Sequence, residues 1–357
     1  MPPRKAAEVT ASRHKSVAID TDGEVMIETV WAEFTKMRIL HPRLKQVRRY
    51  FDALRGESKL APAQPRGYVT VFAPTGSGKS TAVKSYIEKI VVPELVAEGL
   101  YSENTPALEV ALDQKRVVHV TLSARSSLST LALDILTALG DKRADKGHPD
   151  IRIARCYRTI QKLRVQLLII DELQHLSHAQ TDESLDGTRE KTAVSTPTDV
   201  ADTLKAMLIK GLVPMCFVGI ELAESILQAD GQLLGRRRRS LDFSKLRWHV
   251  PEERKIFEDY CIAVGLKIFD HQLVEEEPDF SAMAIPHHLW AATGGVIGGV
   301  SRLAEEATIH ALERKDGPRT VTFQDLALAV ETRGIPNGIS EYNPFREGIR
   351  REKRVAA

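Results

Sequence analysis

The rhythm of apolar and polar positions changes twice along the chain. Residues 1–35 are polar and charged, with weak periodicity, and read as a loose N-terminal extension. A helical pattern over 32–54 carries Lys36, Arg38, Arg43, Lys45, Arg48 and Arg49. Pro62 and Pro65 then interrupt any regular element, because neither helix nor sheet accepts two prolines so close together. From Gly67, continuous apolar runs at 68–73, 117–122, 167–170 and 213–218 alternate with helical patterns at 80–98, 127–139, 150–164 and 200–210. Such alternation predicts βαβ units and a parallel sheet with helices on both faces. A further short strand is expected at 246–250. Beyond Pro251 the strand pattern stops. Helices over 252–265, 286–292, 295–313 and 323–332 predict a separate all-helical domain. Residues 178–199 are rich in Ser, Thr, Asp and Glu and read as a flexible insertion. The fold class is therefore α/β with a small helical domain. Its expected parts are an extension and basic helix (1–62), a core (63–250), a helical domain (251–333) and a basic tail (334–357).

Composition narrows the function. Apolar residues make up 43% of 357 and charged residues 27%, a globular profile. No apolar run approaches the roughly 18 residues of a membrane span. The polar residues 1–20 contain no apolar signal segment. Cys156, Cys216 and Cys261 are isolated and fit neither a disulfide framework nor metal-ligand spacing. A cytoplasmic, membrane-free protein is expected. The 50 Lys and Arg nearly cancel 48 Asp and Glu, leaving a formal charge of +2. That balance excludes a uniformly basic nucleic-acid coat and leaves room for local cationic patches.

The strongest local signal is Ala73-Pro74-Thr75-Gly76-Ser77-Gly78-Lys79-Ser80, between a predicted strand and a predicted helix. That context identifies a phosphate-binding loop for ATP and Mg²⁺. Gly76 and Gly78 let the backbone curl so that successive N–H groups face a phosphate, and the helix N-terminus adds its positive dipole end. Lys79 reaches the terminal phosphates and Ser80 offers a hydroxyl to Mg²⁺. Pro74, Thr75, Ser77 and Thr81 complete the nucleotide-facing segment. Ala73 stands where the usual pattern opens on glycine.

A second apolar run, 165–170, ends in Asp171 and Glu172. Ionised groups inside a sheet are costly, so they sit at its end. In a nucleotide site Asp171 would serve the Mg²⁺ shell and Glu172 would polarise the attacking water. The strand at 117–122 between loop and acids, together with the adjacent glutamate, favours P-loop ATPases over small-molecule kinases and GTPases.

Arg236, Arg237, Arg238 and Arg239 follow the fourth apolar run. On a helix or turn they would point in different directions. One of them, Arg236 or Arg238, is a candidate arginine finger for a neighbouring subunit's ATP site. The same run also fits an ordinary solvated basic segment.

Taken together, the loop, the segment Leu-Leu-Ile-Ile-Asp-Glu-Leu-Gln-His-Leu (167–176), Val-Pro-Met-Cys-Phe-Val-Gly-Ile (213–220), Gln-Leu-Leu-Gly-Arg-Arg (232–237), Gly-Gly-Val-Ile-Gly-Gly-Val-Ser-Arg-Leu (294–303) and Asn-Pro-Phe (343–345) resemble the TniB/TnsC family of AAA+ transposition regulators, related to MuB. The resemblance covers about 40–345. It implies a P-loop AAA+ sheet with a helical lid, and an ATPase that oligomerises as a ring or filament on double-stranded DNA. It also implies a transposase and a TniQ-type targeting protein as partners. Two positions depart from it. Ile220 stands where the family often has a sensor threonine, and Gly299 where it often has a sensor arginine. Arg302, one turn on, is the candidate substitute, and slow hydrolysis is expected.

The resemblance further implies that the segment between the second and third strands faces DNA, which selects Arg125, Lys142, Arg143, Lys146 and Arg152. From the residues alone, Arg152, Arg155, Arg158 and Lys162 recur at helical spacing on one face, a pattern that an ordinary solvated face also shows. Phosphate contacts of this kind are sequence-independent and salt-sensitive. Secretion-type AAA+ ATPases resembling ExeA, helicases or clamp loaders, and a non-hydrolysing ATP-binding scaffold are the rival readings.

Overall fold

The computed structural model describes residues 16–20, 24–61, 64–124, 127–180, 197–228 and 230–350. The predicted insertion falls mostly outside them, as does Arg125. The described residues form two compact units. One is Pro42–Ser244, and the other joins the described parts of Met1–His41 and Lys245–Ala357.

The helix expected over 32–54 is two helices, α1 (Ile27–Lys36) and α2 (Pro42–Leu60). Met37 turns to extended backbone after α1, and the residue before a proline resists helical geometry, so α2 starts only at Pro42. The two helices fall in different units.

In the unit of α2, β1 (Tyr68–Phe72) leads through the loop 73–78 into α3 (Lys79–Tyr86). A π-turn, Ile87–Val91, joins α3 to α4 (Val92–Ala97). Pro93 has no N–H to give the preceding turn, and the widened turn accommodates it. A short helix, α5 (Ala107–Asp113), precedes β2 (Val117–Thr121). Only Val110 of α5 is buried, while its other large apolar residues, Leu108 and Leu112, are exposed. The rest of the unit is α6 (Leu128–Ala138), α7 (Pro149–Lys162), β3 (Leu167–Asp171), α8 (Pro197–Ile209), β4 (Met215–Gly219), α9 (Glu224–Gln228), α10 (Gly231–Leu234) and β5 (Arg237–Ser240).

The five strands are parallel in the order β2-β3-β4-β1-β5. Residues of β1, β3 and β4 are buried throughout. Alternate side chains feed two cores. Val69, Val71, Leu167, Ile169 and Val218 pack with α2 to α5, and Tyr68, Phe72, Leu168, Ile170 and Phe217 pack with α6 to α8. Helices on both faces of a parallel sheet are the architecture that the apolar runs predict.

The fifth strand is not at 246–250. There the backbone is committed elsewhere: Leu246 N–H donates to Gly295 at 2.9 Å, and Leu246 C=O accepts from Trp290 Nε1 at 2.7 Å. Instead the arginine run forms β5, pairing with β1. An edge strand needs only its backbone for pairing, and charged side chains protect it against further strands.

The second unit contains α1, α11 (Pro251–Asp270), α12 (Ile285–Thr293), α13 (Ile297–Glu313), α14 (Phe323–Ala329) and α15 (Pro344–Glu347). Ala18, Val30 and Met37 share its core with Phe257, Leu289 and Val300. Ser16 Oγ donates to Leu273 C=O at 2.7 Å. The described part of the N-terminal stretch is therefore packed, in contrast to the loose extension expected. Asn343 of the Asn-Pro-Phe segment caps α15 by accepting from Phe345 N–H at 3.1 Å. Its amide also donates to Ala327 C=O and Glu331 Oε1, both at 2.9 Å.

Candidate nucleotide site

The register of the sheet assembles the site. Phe72, the last residue of β1, lies level with Gly219 at the end of β4, and Asp171 ends β3 level with Thr121 of β2. Strand ends of β1, β4 and β3 therefore open side by side, where ligands of parallel α/β sheets bind.

The loop leaving β1 has its glycines in left-handed backbone, Gly76 at φ 80° and Gly78 at φ 88°. Gly78 caps α3 in that conformation with no side-chain hydrogen bond to the first amides of the helix. Lys79 Nζ donates to Ala73 C=O at 2.7 Å and to Pro74 C=O at 2.9 Å, so the ammonium is held over the loop mouth. Burial pushes this ammonium below its usual range, while the charges of Asp171, Glu172 and Glu221 oppose that shift.

Ser80 Oγ donates to Asp171 Oδ2 at 3.1 Å, which links the start of α3 to the end of β3. His119 of β2, which sequence reasoning missed, lies with Nε2 at 3.0 Å from the same oxygen. Glu172 N–H donates to Asp171 Oδ1 at 2.9 Å. Burial pushes the Asp171 carboxyl up, but the hydrogen bond and charge of His119, the Glu172 amide and the Ser80 hydroxyl outweigh it, holding the carboxyl below its ordinary range. A carboxylate and a hydroxyl on one side of the loop form a hard oxygen set of the kind Mg²⁺ takes.

A cleft of about 180 Å³ is lined by Thr75, Gly76, Gly78, Lys79, Ser80, Thr81, Glu172, Gln174, Gly219 and Ile220. Gln174 is the second residue there that sequence reasoning missed. Its amide nitrogen donates to Glu172 Oε2, and its amide oxygen accepts from Ile220 N–H at 3.2 Å. Pro74 lies in the same loop. Ser77 is buried and closes the loop by donating its N–H to Pro74 C=O at 3.3 Å.

A family model described as an AAA domain matches residues 63–227. This is a P-loop AAA+ fold. Among solved structures, ORC2 of Aeropyrum pernix in its ADP form is similar at 15% identity and TM-score 0.55, over 84% of this chain and 72% of that one. ORC1 of Aeropyrum pernix, solved in complex with DNA, is similar at 16% identity and TM-score 0.54, over 85% and 68%. At these identities the likeness is one of fold. Comparison with curated proteins gives no match.

The remaining predicted residues lie apart from the cleft or in the other unit. Arg237 of β5 pairs with Glu224 at 2.8 Å, and Arg238 pairs with Glu57 of α2. Arg236 is half-buried in the turn before β5. The run is an edge strand and not a helix, and its register with β1 shifts at Arg238; Arg238 and Arg239 both reach α2, Arg239 over the Tyr50 ring, while Arg237 turns to Glu224. Arg302 is exposed on α13 of the helical unit. In that unit a Cβ added at Gly299 would lie 2.8 Å from Thr293 Cγ2, so a sensor arginine has no room at this position.

Lys142, Arg143 and Lys146 are exposed in the turn between α6 and α7, Lys146 paired with Asp145 at 2.8 Å. Arg152 does not join them. It is 7% exposed, and its guanidinium donates to Ser129 Oγ of α6. Arg155 is half-buried against Asp141 at 2.8 Å. Half of the predicted cationic stripe is thus spent on packing α7 against its surroundings. Among the described residues no group of three or more His, Cys, Asp and Glu could hold a metal ion, and no helix is long and apolar enough to cross a membrane.

Proposed function

We propose that this protein is an ATP-dependent, DNA-binding AAA+ regulator of transposition that assembles as a homo-oligomer on duplex DNA. The observation that carries the reading is the cleft itself. Lys79, Ser80 and Glu172 line it, and Asp171 is tied to it through Ser80.

In this mechanism the loop amides and Lys79 hold the β- and γ-phosphates. Ser80 and Asp171 would hold Mg²⁺, which when bound would neutralise charge developing on the phosphates. Glu172 accepts the proton of a water as its oxygen bonds to the γ-phosphorus, while the bond to the β,γ-bridging oxygen breaks and ADP leaves. Arg236 or Arg238 of a neighbouring copy supplies the finger. Bound ATP thereby favours the assembled state, a coupling set by different affinities of assembled and free protein. The exposed turn with Lys142, Arg143 and Lys146 supplies phosphate contacts, with Arg125 a further candidate. Support for a transposition role comes from the combined segments at 213–220, 232–237, 294–303 and 343–345, which resemble TniB/TnsC proteins. On that resemblance a transposase and a TniQ-type protein are the partners.

The test is duplex DNA binding by fluorescence anisotropy across a salt series, with and without a non-hydrolysable ATP analogue. Tight binding that needs the analogue, falls with salt and ignores DNA sequence supports the reading. Binding that is indifferent to nucleotide removes it.

A further inference from the structure

Glu172 has φ 60°, left-handed backbone in which the Cβ of an L-residue crowds its own carbonyl oxygen. Such a conformation persists only where the surroundings over-determine it, and it clusters at functional sites. Its backbone is fixed on both sides. The N–H donates to Asp171 Oδ1 at 2.9 Å, and the C=O accepts from His175 N–H at 3.0 Å. Those bonds leave the carboxylate free to rotate, and Gln174 is what holds it.

Gln174 is 9% exposed, and both ends of its amide are engaged, the NH₂ by Glu172 Oε2 and the oxygen by Ile220 N–H. Reversing the amide would set its oxygen against the carboxylate and its NH₂ against an N–H, so the two partners fix its orientation. Gly219 makes the room: a Cβ there would lie 2.9 Å from Gln174 Oε1 and 3.3 Å from Ala223 Cβ. Ile220 brings no polar side chain to this end of β4. In its place the Gln174 amide joins the β4 backbone to the acid at the end of β3.

We propose that Gln174 is a positioning residue for hydrolysis, which aims the Glu172 carboxylate at the attacking water and ties that aim to the end of β4. The inference rests on the hydrolytic reading of the cleft. Gln174→Met keeps the volume and removes both hydrogen bonds. It should lower kcat by about 10- to 100-fold, as a displaced catalytic group does, with KM for ATP within about twofold and thermal unfolding close to that of the parent protein. In a Glu172→Gln background the same change should add nothing, since residues acting as one unit are not additive.

ATP turnover of the full chain, measured with DNA present, separates the outcomes. A slow Gln174→Met with unchanged KM and no added effect on Glu172→Gln supports the inference. Gln174→Met turning over within twofold of the parent while Glu172→Gln falls to a residual rate overturns the inference alone. Glu172→Gln as active as the parent, or a parent without turnover, overturns the hydrolytic reading and the inference with it.

Discussion

Ser80 Oγ donates to Asp171 Oδ2 at 3.1 Å, a bond between the first turn of α3 and the last residue of β3. The intervening strand end is Gly219 of β4, so the loop after β1 reaches past β4 to the acid. The same oxygen takes His119, which leaves Asp171 buried, ionised and oriented. The Mg²⁺ requirement should therefore reside in this pair. Asp171→Asn is expected to raise the Mg²⁺ concentration for half-maximal ATP-analogue binding by about 10-fold or more, the scale of one charge-assisted contact. Titration of a fluorescent analogue with Mg²⁺ checks it, and an unchanged midpoint would remove Asp171 from the metal shell.

Lys79 and Glu172 should separate binding from turnover. Lys79→Ala loses a charge-assisted contact worth about 1.5–3 kcal/mol, which is about 10- to 100-fold in ATP affinity. Glu172→Gln should keep ATP affinity within about twofold and reduce hydrolysis to a small residual rate. Calorimetric binding and phosphate release measure the two effects on the same preparations.

Much of this site was legible from sequence because its chemistry is local. The loop glycines, Lys79 and Ser80 lie within five residues of one another, and Asp171 and Glu172 end an apolar run. What was not legible depends on neighbours distant in the chain. His119 reads as one polar residue in an apolar run, and only the β2–β3 pairing brings it to Asp171. Gln174 matters because β4 places Ile220 beside it. Arg152 has the helical spacing of a surface stripe, yet α6 lies on that side. β5 was hidden because edge pairing uses backbone groups, which carry no side-chain pattern.

Arg55 of α2 gives a prediction about the scaffold. It bonds Tyr86 at 2.8 Å, Glu94 at 2.5 Å and Gln166 at 3.0 Å, while Tyr86 donates to Asp52 at 2.6 Å. This cluster holds α2 to α3, α4 and the loop before β3. Arg55→Met removes the donor from the buried Tyr86 hydroxyl and from the half-buried Glu94 and Gln166, and should destabilise by about 1–3 kcal/mol. Chemical denaturation measures the loss, and ATP affinity should stay within about twofold because the cluster is not in the cleft.

Gly295 gives the matching prediction for the helical unit. It has φ 79°, and a Cβ would come 2.2 Å from Leu246 C=O and 3.0 Å from its nitrogen, both rigid backbone atoms. Gly295→Ala should therefore cost more than about 1 kcal/mol, whereas Gly294→Ala, which meets nothing within 4 Å, should bear only its φ 57° strain. Urea unfolding of the two variants should rank them in that order.

The exposed turn between α6 and α7 is tested by charge. Replacing Lys142, Arg143 and Lys146 with alanine should flatten the salt dependence of DNA binding by roughly one unit per lost phosphate contact. Arg152→Gln should leave the slope unchanged and lower stability, since its guanidinium packs against α6. Anisotropy over a salt series reads the first effect and thermal unfolding the second.

ATP should drive assembly on DNA. Electron microscopy of the full chain with duplex DNA and a non-hydrolysable ATP analogue addresses it most directly. Ordered rings or filaments that require the analogue and are lost in Lys79→Ala are the expected result. Particles that remain single with analogue and DNA both present, or order that persists without nucleotide, would contradict it.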